Sequence, residues 1–185
     1  MGLPPAVRVD SATCRRADSG DARAVADLLI RSRQAAVGTI PAAVHPDAET
    51  HEWISTVVLP EREVWLTEDA DRRALAVMVL DGSWVDQLYV DPVAQGEGIG
   101  RRLLEHAQAL DTTGELQLWT FQANDRARRF YARNGFVEVE LTDGAGNEER
   151  QPDVRLVWRR SASVTRRRSP SGCPPRPAGT SDRDR

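Results

Sequence analysis

Hydrophobic positions along the chain fall into two spacings, which divide it into helices and strands. From Asp18 onward, Ala22, Val25, Leu29 and Ala36 form the stripe of an amphipathic helix. Asp18 opens that helix and Asp21 sits in its first turn, where the backbone dipole favours a carboxylate. Asp47 starts a second helix carrying Trp53, Ile54, Val57 and Val58, and Pro60 is expected to end it. A third enters at Gly98 with Ile99, Leu103, Ala107 and Leu110 on one face. The fourth follows Asn124, a capping residue, groups Ala127, Phe130 and Tyr131, and closes at Gly135.

Between these stripes the pattern alternates or becomes a short apolar run. The segment 7–17 and the stretches EVWLTED, RRALAVMVLDG, SWVDQLYV, ELQLWTF, FVEVELTD and DVRLVWR read as strands. Asp69-Ala70-Asp71 and Asp81-Gly82 supply turns, while GTIPAAVHP and GAGNEERQP are loops. The order β α α β β β α β α β β begins with antiparallel neighbours and continues into two strand–helix units. It predicts an α/β fold of the α+β kind, with a mixed sheet.

Composition adds boundaries. The 185 residues suffice for one domain with one buried core. Residues 161–185 contain four prolines and no aromatic residue, so they are read as a disordered Arg/Pro/Ser-rich tail behind a domain over 1–160. Six Arg and two Asp give that tail a net +4 against −3 for the whole chain, so residues 1–160 carry −7. An acidic body favours cationic partners, and no nucleic acid is expected. No apolar run reaches membrane-spanning length, and the first residues lack a signal-peptide layout. A cytoplasmic protein with no membrane partner is expected.

Several chemistries drop out. Every one of the 25 basic residues is Arg. Without lysine there is no Walker A loop and no Schiff base. His45, His51, His106, Cys14 and Cys173 lack the spacing of metal ligands, so no metal is expected.

The richest stretch is LYVDPVAQGEGIGRR, in which a strand passes through Gly96, Gly98 and Gly100 into a helix. The first N–H groups of a helix have no intrahelical partner and sit at the positive end of its dipole, so a glycine-lined approach suits a phosphate. A ligand-free tight connection is the plain alternative. A dinucleotide fingerprint would require a glycine at 101, where Arg101 stands.

The run Gln95-x-x-Gly98-x-Gly100 after an apolar strand resembles the acetyl-coenzyme-A signature of the GNAT superfamily of N-acyltransferases. The stretch 118–136 resembles a second element of that family: a strand, an Asn at the helix start, a Tyr, then Asn-Gly-Phe. The element order matches as well, and the resemblance covers about residues 8–159. The resemblance implies a mostly antiparallel sheet of six to seven strands flanked by about four helices. It implies acetyl-CoA as cosubstrate and an amine acceptor, either a small molecule or a peptide.

It also implies roles for residues. The N–H groups from Gln95 through Gly96, Glu97, Gly98, Ile99 and Gly100 to Arg101 would hold the pyrophosphate. The strand Leu88, Tyr89, Val90 would offer backbone groups to the pantetheine arm and the thioester carbonyl. Asn124 would touch the pantetheine, beside its plain reading as a cap, and Arg128 would meet a coenzyme phosphate. Tyr131 matches the usual general acid; its plain reading is a core aromatic.

The general base is read from position. Asp86 lies two residues before Leu88 and so on the same face, and a carboxylate inside a strand is unusual. A structural hydrogen bond is its alternative. Glu148 and Glu149 are candidates for gripping a cationic acceptor, and Trp84, with Trp53 and Trp119, for lining its pocket. With no placed cysteine nucleophile, the reaction expected is direct attack of the amine in a ternary complex. A non-catalytic coenzyme-A-binding or sensor module is the alternative, and a homodimer is compatible with either.

Overall fold

The computed structural model describes residues 12–161. The tail expected over 161–185 lies outside them apart from its first residue, as does the start of the first predicted strand. Seven strands form one sheet: β1 (Thr13–Arg16), β2 (Glu63–Glu68), β3 (Ala74–Asp81), β4 (Trp84–Val90), β5 (Glu115–Phe121), β6 (Phe136–Leu141) and β7 (Asp153–Arg159). Their order is β1-β2-β3-β4-β5-β7-β6. All neighbours are antiparallel except β4 and β5.

The helices are α1 (Ala22–Ala35), α2 (Asp47–Trp53), the one-turn α3 (Leu59–Glu61), α4 (Ile99–Leu110) and α5 (Asp125–Arg133). A π-type turn over Ile54–Val58 joins α2 to α3 without a break. Pro60 therefore does not stop this helix ahead of itself. In the wider turn the Leu59 N–H bonds back to Ile54 C=O, five residues away, and the helix ends only where Arg62 becomes extended.

The sheet carries a core on each face. α4 and α5 cover Leu75, Met78, Val85, Leu116, Leu118 and Leu156, with Ile99 and Leu103 as their own buried residues. α1 and the α2–α3 helix cover Val64, Leu66, Val77 and Val79 with Leu28, Ile54 and Val58. β3 serves both cores, which is why ALAVMVL shows no alternation. No described helix is long and apolar enough to cross a membrane.

Candidate functional site

The parallel neighbours β4 and β5 share a single register pair, Trp84 with Gln117, and the Gln117 N–H donates to Ser83 O at 2.9 Å. Beyond that pair the strands separate, while β4 stays paired to β3 up to Val90. A paired strand has its N–H and C=O groups matched along both edges. Here the β5-facing edge of β4 is opened over Leu88–Val90.

The glycine turn begins where β4 ends. Asp91 is only 2% exposed. Its carboxylate accepts from the Val93 N–H at 3.1 Å and from Arg31 at 3.0 Å, with Arg73 at 3.5 Å. The Gln95 side-chain amide donates to Val90 O at 3.0 Å and folds the turn back onto the strand end. Gly96 and Gly98 have φ of 92° and 75°, the left-handed region that glycine enters without strain. A side chain at either would meet no atom within 4 Å.

Gly98 caps α4, whose first N–H groups have no intrahelical partner. Gly100 has a different task. A Cβ there would stand 3.3 Å from the Phe130 ring, so its bareness lets α4 and α5 approach. Ile99 is buried and anchors the helix start, whereas Glu97 and Arg101 are exposed, Arg101 lying 3.8 Å from Glu105. Two open glycines at a helix N-terminus, beside an opened strand edge, fit an elongated ligand with a phosphate at one end and amides along its length.

α5 brings Tyr131 under this region. The residue is 8% exposed, edge-on to Phe130 and Phe136 at 5.2 and 5.6 Å. Burial pushes its hydroxyl pKa up, and the nearby Tyr89 phenol adds to the shift. Asn124 does cap α5: its Oδ1 accepts from Ala127 N–H at 3.1 Å. Arg128 is not left free for a phosphate. Its Nε and Nη2 reach Glu138 at 2.8 and 3.2 Å and its Nη1 donates to Gln122 O at 3.0 Å, tying α5 to β6.

Asp86 departs from the expected geometry. The β3–β4 register slips between Val79 and Leu80, so Val79 pairs with Gln87 and Leu80 with Val85, and Asp86 is the extra residue of a β-bulge. The bulge breaks the parity on which the shared face with Leu88 was predicted. Val85, Leu88 and Val90 all pack on the α4–α5 side, and Tyr89 packs on the other. Asp86 turns to that other side, into an ion pair with Arg62 just beyond α3. Arg62 in turn lies over the Trp53 ring at 5.9 Å.

The β6–β7 loop brings Glu148 and Glu149 against α1 and the connection into α2, forming a mouth there, and both are engaged. Glu149 pairs with Arg33 of α1 at 2.9 Å, with both side chains four-fifths buried or more. Glu148 reaches His45 at 3.0 Å, and His45 also meets Glu49 at 2.8 Å. Those two carboxylates, Glu49 first, raise the His45 pKa. Arg33 also lies beside Tyr89, whose ionisation burial opposes. Trp84 sits at the closed end of the β4–β5 seam, and Trp119 is exposed on β5. Cys14 lies on β1, an outer edge of the sheet, with β2 and β3 between it and β4.

Arg33, Arg62, Asp91 and the Tyr89 side chain were not anticipated. Asp91 carried one signal, an Asp before Pro that often opens a turn. The partners of Arg33 and Arg62 are 116 and 24 residues away and leave no local trace.

Comparison with known proteins agrees with this layout. The profile of the acetyltransferase (GNAT) domain matches residues 60–138. The peptidyl-lysine N-acetyltransferase YjaB of Salmonella typhimurium is 35% identical over 111 residues, covering 60% of this chain and 74% of that protein. YjaB of Escherichia coli is 36% identical over 78 residues, 42% of this chain, and the match spans about half of its length, 52%. The solution structure of apo YjaB from Escherichia coli superposes with a TM-score of 0.64 at 24% identity, covering 80% of this chain and 97% of that one.

Proposed function

This chain belongs to the GNAT family of acetyltransferases, and on that premise we infer that it moves an acetyl group from acetyl-CoA to a primary amine. The observation that carries the reading is the seam: one pair, Trp84 with Gln117, then an opened β4 edge leading straight into the Gly96–Gly98 turn. The N–H groups from Gln95 to Arg101 hold the pyrophosphate. The backbone of Leu88 and Val90 pairs with the amides of the pantetheine arm, and one of their N–H groups points at the thioester carbonyl. Bound there, acetyl-CoA supplies an activated acyl carbon and a thiolate leaving group.

The rest is positioning and proton transfer. The amine attacks the thioester carbon, the C–S bond breaks, and the Tyr131 hydroxyl gives its proton to the departing sulfur. The hydroxyl is protonated at neutral pH even at its ordinary pKa of about 10, and burial only raises that value. Asp86 takes the proton the amine loses, from the side of the sheet where α2 and the β6–β7 loop meet. The remote position of Cys14 supports direct attack over an acetyl-enzyme. The peptidyl-lysine activity named for the YjaB relatives supports catalysis over a sensor role, and supports a peptide lysine as acceptor.

A thiol-release assay with acetyl-CoA, lysine peptides and polyamines tests the reading. Turnover that needs both substrates present is the expected result. Acetyl-CoA binding by calorimetry without turnover on any amine would leave only the sensor.

A further inference from the structure

Beside the mouth, between α1 and the connection into α2, lies a cavity of about 240 Å³. Leu29 and Ile30 of α1 form one wall, and Val37, Ala42 and Ala43 of the connection form the other. Val37 is 66% exposed and Val44 of the same connection 54%, so this loop turns aliphatic side chains outward at the rim. These aliphatic walls are completed by Gln34, Thr50 and Asp47, and further carboxylates stand close by: Glu49 and Glu148 pair with His45, which also lines the cavity.

Arg33 joins this cavity to the reaction site. It lines the cavity, pairs with Glu149 of the β6–β7 loop, and lies beside Tyr89 of β4.

We propose that this cavity receives an aliphatic side chain next to the target lysine of a peptide acceptor. The inference rests on the acetyltransferase reading above and adds the acceptor's neighbour to it. The volume is below the roughly 300–1,000 Å³ of sites that take a whole drug-sized molecule, and suits one side chain. The carboxylates close by complement the lysine cation. A polyamine offers no branch to fill the apolar wall, and a free amino acid would bring its own carboxylate to these carboxylates.

The test uses acetyl-CoA and blocked pentapeptides with a central lysine that differ only in one adjacent residue, Leu or Ser. The kcat/KM ratio of Leu to Ser peptide is expected to be about tenfold or more, the usual scale for filling an apolar pocket. In Ala43→Glu and in Val37→Asp the ratio should fall to within about twofold. Both positions are exposed, and coenzyme-A calorimetry reports that each variant is folded. A wild-type ratio within about twofold on either side of the lysine, or a ratio that survives in either variant, overturns the inference and leaves acetyl transfer standing. Absence of turnover on every amine, polyamines included, overturns both.

Discussion

Arg62 and Asp86 meet in an ion pair at the bulge of β4, and the Trp53 ring covers the guanidinium. A carboxylate in such a pair can be a strut, or a base that a cation holds ready. Asp86→Asn keeps the shape and removes the base. It should lower kcat/KM for the amine about 100-fold, with coenzyme affinity and melting temperature unchanged. A strut would show instead equal losses for Asp86→Asn and Arg62→Ala that follow the melting temperature.

Tyr131→Phe removes one oxygen and keeps the ring contacts to Phe130 and Phe136. kcat should drop about 10–100-fold, toward the lower end of acid–base effects, with coenzyme affinity unchanged. Burial holds the Tyr131 hydroxyl above its ordinary pKa of about 10. The protonated acid therefore persists as pH rises, and wild-type kcat should show no alkaline fall from this group below about pH 10. An unchanged kcat in Tyr131→Phe across the pH range would overturn the assignment.

Gly98 and Gly114 both have left-handed backbones, with φ of 75° and 83°, and both face open space. Alanine at either should cost about 1 kcal/mol of stability. Only Gly98 belongs to the turn before α4. Gly98→Ala should also raise the coenzyme-A Kd about fivefold or more, whereas Gly114→Ala should leave it alone. Calorimetry on the two variants separates a ligand turn from a generic one.

Asp21 receives both Nη groups of Arg15, at 2.7 and 2.8 Å, and Arg15 also reaches Glu68 at 2.8 Å. The Arg15 hydrogen bonds hold the Asp21 pKa below the ordinary carboxylate range. Its folded value is thus lower than its unfolded one. The stabilisation is complete above about pH 5 and is lost as pH falls through the folded value. Asp21→Asn should cost about 1–2 kcal/mol at pH 7 by urea unfolding, and the difference from wild type should shrink below about pH 3.

The glycine turn and the helix carrying Tyr131 were legible in the sequence because their signals are local. Gly98 needs its left-handed backbone whatever surrounds it, and Asn124 caps the helix that follows it. Asp86 was misplaced because face assignment in a strand counts residues in twos. One inserted residue reverses the count, and the bulge depends on pairing with β3, which is not a local property. The ion pair of Arg128 was hidden because its partner, Glu138, lies on the next strand. Glu149 could be seen as acidic and exposed to choice, but its pairing with Arg33 closes a gap of 116 residues.

The Trp84–Gln117 pair leaves the two halves of the sheet fastened at one end. A coenzyme lying along β4 would close part of that opening, acting as a removable eighth strand. Ligand present at about 100 times its Kd adds about 2.7 kcal/mol to stability, here at the weakest line in the sheet. Amide exchange in β4 and β5 should therefore slow more than in β2 or β3 when coenzyme A is added. On the proposed reading, such a fold would make its own cohesion a readout of coenzyme supply: starved of coenzyme, the molecule would open first along this seam.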